Sequence, residues 1–477
     1  MGQEDPNGKV VYIPVPKELQ KEVEKLVQLA TETPGLKNGK EFADDERDVY
    51  RHTDGLGDLI IARRLQAAEG LHKTREAARR LLKSSSRGRI KDQGLRDVKI
   101  MTMRGGEITI RTPYFSRNCD VHKARGSYPV LTLLGVHGFR RYYTPGLANQ
   151  VVLLTTAMGS IDEARKWLAE SGVHLCVETI QTITYQYAQR VRTAQTAGVI
   201  GFNETVTGRR VVIAVDGGRI RVRTKKRGRK SKKGRTCYHG DWREPKLLMI
   251  YVIDEFGRMD RHWTPVIDGL LKLNGEGADA IFSLLKRYLN RLNIREADTI
   301  HFVGDGAHWI WRRAGPLLKG LGLRAGQVHE AVDFYHAVEH LSKIAELRRG
   351  WNTKQRRKWI TTQRNRLFKG KVDEVITSID DLCRGRLSKA LRTERDYFHR
   401  NVDRMRYQTL RRKRLPIGSG AIESAIRRVV NLRLKGAGIF WYEESANAML
   451  LLRSYYKAGR AQQLQNLALS VRESLVA

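Results

Sequence analysis

Cysteine is scarce in this chain: Cys119, Cys176, Cys237 and Cys383 are the only four in 477 residues. Their spacing forms no disulfide framework, which excludes the small stapled class and fits free thiols in a reducing compartment. Long apolar stretches are missing too: no run of about 18 apolar residues occurs, so no transmembrane helix is predicted. The opening Met1-Gly2-Gln3-Glu4-Asp5-Pro6 has neither a basic n-region nor an apolar h-region, which argues against secretion. Pro6 stands where a myristoylation motif wants Ser or Thr. A cytoplasmic protein without a membrane partner is therefore expected. Negative charge is the minority sign, with 51 Asp and Glu against 88 Lys and Arg, a formal net charge of +37. Such a chain repels itself unless a polyanion neutralises it. Nucleic acid is the usual partner, because each phosphate contact releases a counterion. Charge alone leaves a ribosome-associated protein or an anionic-membrane binder as alternatives.

Hydrophobic residues make up 41%, enough to bury real cores. The length predicts about two to four domains. Residues 1–97 read as helical and polar, with helical apolar spacing at Lys17 to Ala30 and about Leu65 to Leu82. Residues 98–145 turn to short β-like runs, such as the alternating Glu107-Ile108-Thr109-Ile110-Arg111. Within them, Cys119-Asp120-Val121-His122 is half of a zinc site. A structural site needs four ligands and no second pair is near, so zinc is not expected.

Residues 146–205 suggest a helix-turn-helix. Ser160-Ile161-Asp162-Glu163 reads as a capping box, Ala164, Trp167 and Leu168 as an apolar face, and Gly172 as a stop. A second helix is expected from Val177-Glu178-Thr179 through Ile180, Ile183 and Tyr187. In so basic a chain this pair suits major-groove docking; an ordinary αα-hairpin is the plain alternative.

Residues 206–350 alternate strand and helix. Val211-Val212-Ile213-Ala214-Val215 is a buried-type strand ending on Asp216-Gly217-Gly218, and Leu247 to Ile253 forms another before a turn at Asp254-Glu255-Phe256-Gly257. Ile281, Leu284, Leu285, Tyr288, Leu289 and Leu292 mark one helix face. Thr299 to Val303 is a strand ending on Gly304-Asp305-Gly306, and Gln327 to Val332 makes a further one. The pattern predicts an α/β sheet covered by helices. Residues 351–414 then carry 20 Lys/Arg against seven Asp/Glu without strand signals, which reads as a basic helical insertion. Residues 415–477 return to helix.

Two strands each end on an Asp followed by Gly, Asp216 and Asp305. Strand ends are where an α/β sheet keeps its reactive groups, and glycine lets a metal or phosphate approach closely. Two-metal phosphodiester chemistry needs several carboxylates, since hard cations want oxygen. Glu423, near the start of a helix seated by Ile422, Ile426, Val429 and Val430, is the chosen third acid; Glu330, Asp333 and Glu339 are rivals. A surface pair with Arg427 is the plain alternative for Glu423.

Three longer motifs carry a resemblance. They are Gly304-Asp305-Gly306-Ala307-His308-Trp309-Ile310-Trp311, Asp333-Phe334-Tyr335-His336-Ala337, and Gly418-Ser419-Gly420-Ala421-Ile422-Glu423-Ser424. In this order they resemble bacterial insertion-sequence DDE transposases of the Mutator-like assemblage, over roughly Arg209 to Arg453. The resemblance implies a ribonuclease-H-like core with a helical insertion before the catalytic Glu. It makes Asp216, Asp305 and Glu423 the catalytic and metal-binding triad for two Mg²⁺ ions, with Mn²⁺ able to substitute. It places Asp333 and His336 beside the active site in DNA handling. Expected partners are double-stranded DNA, as transposon ends and target, and a second copy of the chain or more. Cleavage without joining, or a domesticated DNA-binding protein, are the competing expectations.

Ten cations crowd Arg221 to Arg235: Arg221, Arg223, Lys225, Lys226, Arg227, Arg229, Lys230, Lys232, Lys233 and Arg235. So dense a run is expected to stay unpacked until DNA neutralises it. Arg427, Arg433 and Lys435 are expected on DNA as well. Trp309 and Trp311 would share a face in an extended segment and diverge in a helix; there they would stack on unpaired bases or pack in the core.

Overall fold

A computed structural model describes residues 2–4, 10–12, 15–32, 39–84, 89–118, 126–138, 141–201, 203–226, 234, 237–272, 277–384 and 388–470. The chain divides into two compact units, residues 1–197 with 468–477, and residues 198–467.

The first unit opens with two short antiparallel strands, Gly2–Glu4 and Val10–Tyr12, followed by helices Lys17–Thr31, Gly39–Gly70 and His72–Ser84. A long antiparallel ribbon follows, Arg89–Met101 against Glu107–Asn118. It belongs to a five-stranded sheet that begins at Arg89 rather than at residue 98. Ile108 and Ile110 point into a small core with Val98, Ile100, Leu131 and Val136, as their alternation predicts. Cys119, Asp120, Val121 and His122 lie outside the described residues.

Helices Pro145–Ala157, Ile161–Glu170 and Val177–Thr196 come next. The Ser160 side chain accepts the Glu163 N–H at 3.0 Å, while the Glu163 carboxylate reaches back to the Gly159 N–H at 2.9 Å. The cap is thus a box displaced by one residue. Ala164 and Leu168 are buried, but Trp167 is 44% exposed and lies off the apolar face expected for it. Gly172, at φ +83°, reverses the chain in the left-handed region that glycine favours.

In the second unit the strands are β1 (Arg210–Gly217), β2 (Ile220–Lys225), β3 (Tyr238–Arg243), β4 (Lys246–Ile253), β5 (Val266–Leu270), β6 (Thr299–Gly304) and β7 (Val328–Val332). Its helices include α1 (Gly277–Arg291), α2 (His308–Gly320), α3 (Phe334–Leu347), α4 (Thr353–Phe368), α5 (Val372–Leu382), α6 (Lys389–Asn401), α7 (Tyr407–Arg412), α8 (Gly420–Ile426) and α9 (Glu443–Ala458).

Five strands make one mixed sheet in the order β5-β4-β1-β6-β7. β4 runs antiparallel to β1 and β5, whereas β6 is parallel to β1 and β7 parallel to β6. β4 is buried along its whole length and β1 from Val211 to Val215, which is why both read as unbroken apolar runs. α1 crosses from β5 to β6 and buries Ile281, Leu284, Leu285, Tyr288 and Leu289, the predicted face. The stretch at 351–414 is helical as composition indicated, contributing α4 to α7 between α3 and α8. β2 and β3 form a separate ribbon between β1 and β4. The architecture is mixed α/β without a barrel. Among the described residues no helix is long and apolar enough to cross a membrane.

Candidate metal centre

β1 and β6 are parallel neighbours, so Asp216 and Asp305 emerge from the same end of the sheet. Asp216 is the penultimate residue of β1, paired across to Leu247, and its Oδ1 accepts its neighbour Gly217 N–H at 2.6 Å. Asp305 follows β6 directly. Its Oδ1 accepts the Ala307 N–H at 2.9 Å, an Asx-turn that starts α2. Gly306 takes φ +84°, and a Cβ there would stand 2.6 Å from Tyr397, so the loop needs glycine on both counts. Tyr397, from α6, donates its hydroxyl to the Asp305 carbonyl at 3.4 Å and stacks on His340 at 3.6 Å.

Asp333 follows β7 in the same way, its N–H donating to the Gly304 carbonyl at 2.8 Å. It is the N-cap of α3, with Oδ1 accepting the His336 N–H at 2.8 Å. Its other oxygen accepts the N–H of Ser419 and the Ser419 hydroxyl, the latter at 2.6 Å. Those bonds, with Phe334 N–H to the Ile417 carbonyl at 2.9 Å, fasten the segment before α8 to the sheet. His301, inside β6, adds a third stitch, its Nε2 2.8 Å from the Pro416 carbonyl. Glu423 is thereby delivered one turn later to the same place. Ile422, Ala425, Val429 and Val430, all fully buried, seat α8 and the turn after it.

Asp333, His336 and Glu423 can each offer one ligand atom, all within 4.8 Å of one another. Asp333 is buried, His336 half-buried and Glu423 exposed. Asp216 and Asp305 are not in that close set, but Asp216 feels both it and its partner strand. Burial, then the Asp305 charge, pushes the Asp216 carboxyl up to about 7; Glu423 raises it further, while the Gly217 N–H and His336 pull it down. Four acids and an imidazole therefore share one sheet end: Glu423, the chosen third acid, lies in the close set together with Asp333, one of its three rivals.

The donor set fits a hard divalent cation, being carboxylate oxygens with one imidazole. A second observation agrees. The Ser419 hydroxyl lies 2.6 Å from Asp333 Oδ2 and 2.9 Å from Glu423 Oε1. It has one proton for two carboxylates, so these oxygens crowd without full compensation.

Other expected site residues fall elsewhere. Trp309 and Trp311 lie in α2 and diverge: Trp309 meets Phe282 edge-on at 6.3 Å under the Lys246 ammonium, Trp311 meets Phe302 at 5.6 Å under Arg404. Both pack against the core, which withdraws base stacking from them. Asp333 has no exposed surface, so it does not handle DNA directly; it anchors Ser419. Arg433 is buried with its guanidinium 5.2 Å from the Trp441 ring, so it is no phosphate contact. Arg427 and Lys435 are exposed. Glu330 is taken by Arg404 at 2.7 Å, and Glu339 is exposed outside the ligand set. The basic run also packs in part. Arg221, Arg223 and Lys225 belong to β2, and the Lys226 N–H donates to the Cys237 carbonyl at 3.0 Å. Arg227, Arg229, Lys230, Lys232, Lys233 and Arg235 lie outside the described residues. Ser419 and Tyr397 were not singled out; a serine four residues before a glutamate, at the foot of a helix, was the available signal for the first.

The chain matches no family model, no curated protein and no solved structure.

Proposed function

We propose that this chain is a DDE transposase: it binds transposon ends, cleaves DNA strands there and joins the freed 3′-OH to target DNA. The observation carrying this is the convergence of Asp216, Asp305 and Glu423, 207 residues apart from first to last (423 − 216), around one sheet end. Further support comes from the mixed sheet β5-β4-β1-β6-β7, compatible with the α/β core that the resemblance implies, and from the helical stretch lying before Glu423. The three motifs in family order add the resemblance already described.

Asp216, Asp305 and Glu423, with Asp333 and His336 beside them, would hold Mg²⁺ or Mn²⁺. Such ions supply charge neutralisation on the scissile phosphate and an activated water or hydroxyl. The residues of the chain do the rest. The Asp305 Asx-turn and the Asp333 cap fix the carboxylate positions before substrate arrives. Asp216 keeps a proton to about neutral pH, so cation binding there is coupled to its release. Arg427 and Lys435, both exposed, offer charge to the DNA backbone.

The test uses labelled terminal-repeat DNA, found as inverted repeats flanking the gene, incubated with protein and Mg²⁺. Wild type should give cleaved and joined products. Asp305→Asn should bind the same DNA and cleave none. Normal cleavage by that variant overturns the triad; cleavage by wild type without joining leaves an endonuclease instead.

A further inference from the structure

The ribbon that begins four residues after Asp216 (220 − 216) has two unlike faces. Ile220 and Val222 are buried on one. On the other, the register sets Trp242 opposite Arg221 and Gly240 opposite Arg223, and alternation along β3 adds Tyr238 to the same face. Residues directly opposite share a face. The segment before α9 lines up along β2 as well: Trp441 accepts the Arg223 N–H at 2.9 Å and donates to the Arg221 carbonyl at 3.0 Å. Trp441 turns inward, its indole N–H donating to the Leu434 carbonyl at 3.1 Å. Alternation therefore puts Phe440 and Tyr442 on the outer face.

There the rings interlock. Phe440 sits over Gly240, where a Cβ would come within 2.8 Å of it, and lies 5.3 Å from Tyr238. Arg221 covers Phe440 at 4.5 Å and Arg223 covers Tyr442 at 3.9 Å. Yet Trp242, Tyr238 and Tyr442 remain 51, 45 and 43% exposed. Three large rings left in water on one face would be costly for a surface without a ligand. Guanidinium groups held over the rings make the patch both cationic and aromatic.

We propose that this outer face is a stacking platform for unpaired DNA bases, with Trp242 and Tyr238 as the principal rings. Bases present apolar π-faces and carry phosphate between them, so they match rings and guanidinium together; a fully paired duplex hides the faces that Trp242 and Tyr238 would take. An acidic or purely apolar protein partner would satisfy one half of the patch and leave the other. The platform rests on the DNA-processing function proposed above, and gives it a substrate preference: DNA melted or tailed near the cleavage point.

The experiment uses the full chain, a blunt duplex of mixed sequence, and the same duplex with a short unpaired tail carrying a fluorescent purine analogue. Wild type should bind the tailed duplex about tenfold more tightly and quench the analogue. Trp242→Ala combined with Tyr238→Ala should lose both effects, keep blunt-duplex affinity with the same salt slope, and melt at the wild-type temperature. Trp242→Phe should retain most of the preference. Blunt-duplex binding by wild type without a tail preference overturns the platform and leaves DNA processing standing, as does a preference surviving in the double variant. No binding to either DNA overturns both.

Discussion

Two sets of carboxylates in the second unit are treated oppositely. Elsewhere in the unit, acids take cations: Glu330 pairs with Arg404 at 2.7 Å, Glu244 with Lys246 at 2.6 Å, and Asp279 with Arg313 at 2.6 Å. At the sheet end, Asp216, Asp305 and Glu423 pair with no Lys or Arg among the described residues, although the chain has 88 of them. Glu244 sharpens the contrast, since it lies against Gly217, next to Asp216, and still has its lysine. A basic chain that withholds its own cations from one group of acids leaves a place for a cation from outside.

Asp333→Asn should break that arrangement most severely. The buried carboxylate accepts three hydrogen bonds, from His336 N–H and from the Ser419 N–H and hydroxyl. An amide nitrogen set against those donors should lower unfolding stability by about 3 kcal/mol, read by urea denaturation, and abolish Mn²⁺ binding read by calorimetry. Unchanged stability would mean that Asp333 does not anchor the segment before α8.

Asp216→Asn should act with the opposite sign on stability. Burial and the Asp305 charge hold the folded carboxyl near pH 7, above the usual carboxylate range. Below that range the folded and unfolded chains are both protonated, so the variant and wild type should match. As pH rises the unfolded chain ionises first, and wild type loses stability until about pH 7. At pH 8 without metal the variant should therefore be the more stable by about 2 kcal/mol, and should bind Mn²⁺ more weakly. A variant less stable than wild type at pH 8 would contradict the repulsion. Glu330→Gln should do least: under about 1 kcal/mol, with Mn²⁺ affinity unchanged, because its pair is partly exposed and outside the cluster. A large loss of affinity there would place Glu330 inside the centre.

Much of the sheet was legible because its strands are locally consistent. Val211 to Val215 and Leu247 to Ile253 are apolar throughout, and the Ile281 to Leu289 periodicity marks a helix whatever surrounds it. Ile108 and Ile110 announced their face by alternation. Trp309 and Trp311 were ambiguous because their spacing allows either geometry, and the Asx-turn at Asp305 settles it by starting a helix. Arg433 misled because net charge counts cations without saying which is buried. The arginines of β2 misled likewise: a dense basic run can form a strand when its guanidiniums find aromatic rings from a distant segment, as Arg221 does with Phe440 (440 − 221 = 219 residues on) while donating to the Gly436 carbonyl.

By itself the sequence determined that two acids would end two strands and that a basic helical block would separate them from Glu423. Local period and composition suffice for these, because they depend on neighbours within a few residues. Tertiary structure alone decided that Asp333 is buried as the anchor of Ser419, that Glu423 meets Asp333 and His336 within ligand distance, and that Phe440 and Tyr442 reach the ribbon. Each of these joins residues far apart in sequence, and only the closing of the sheet and its hydrogen bonds brings them together.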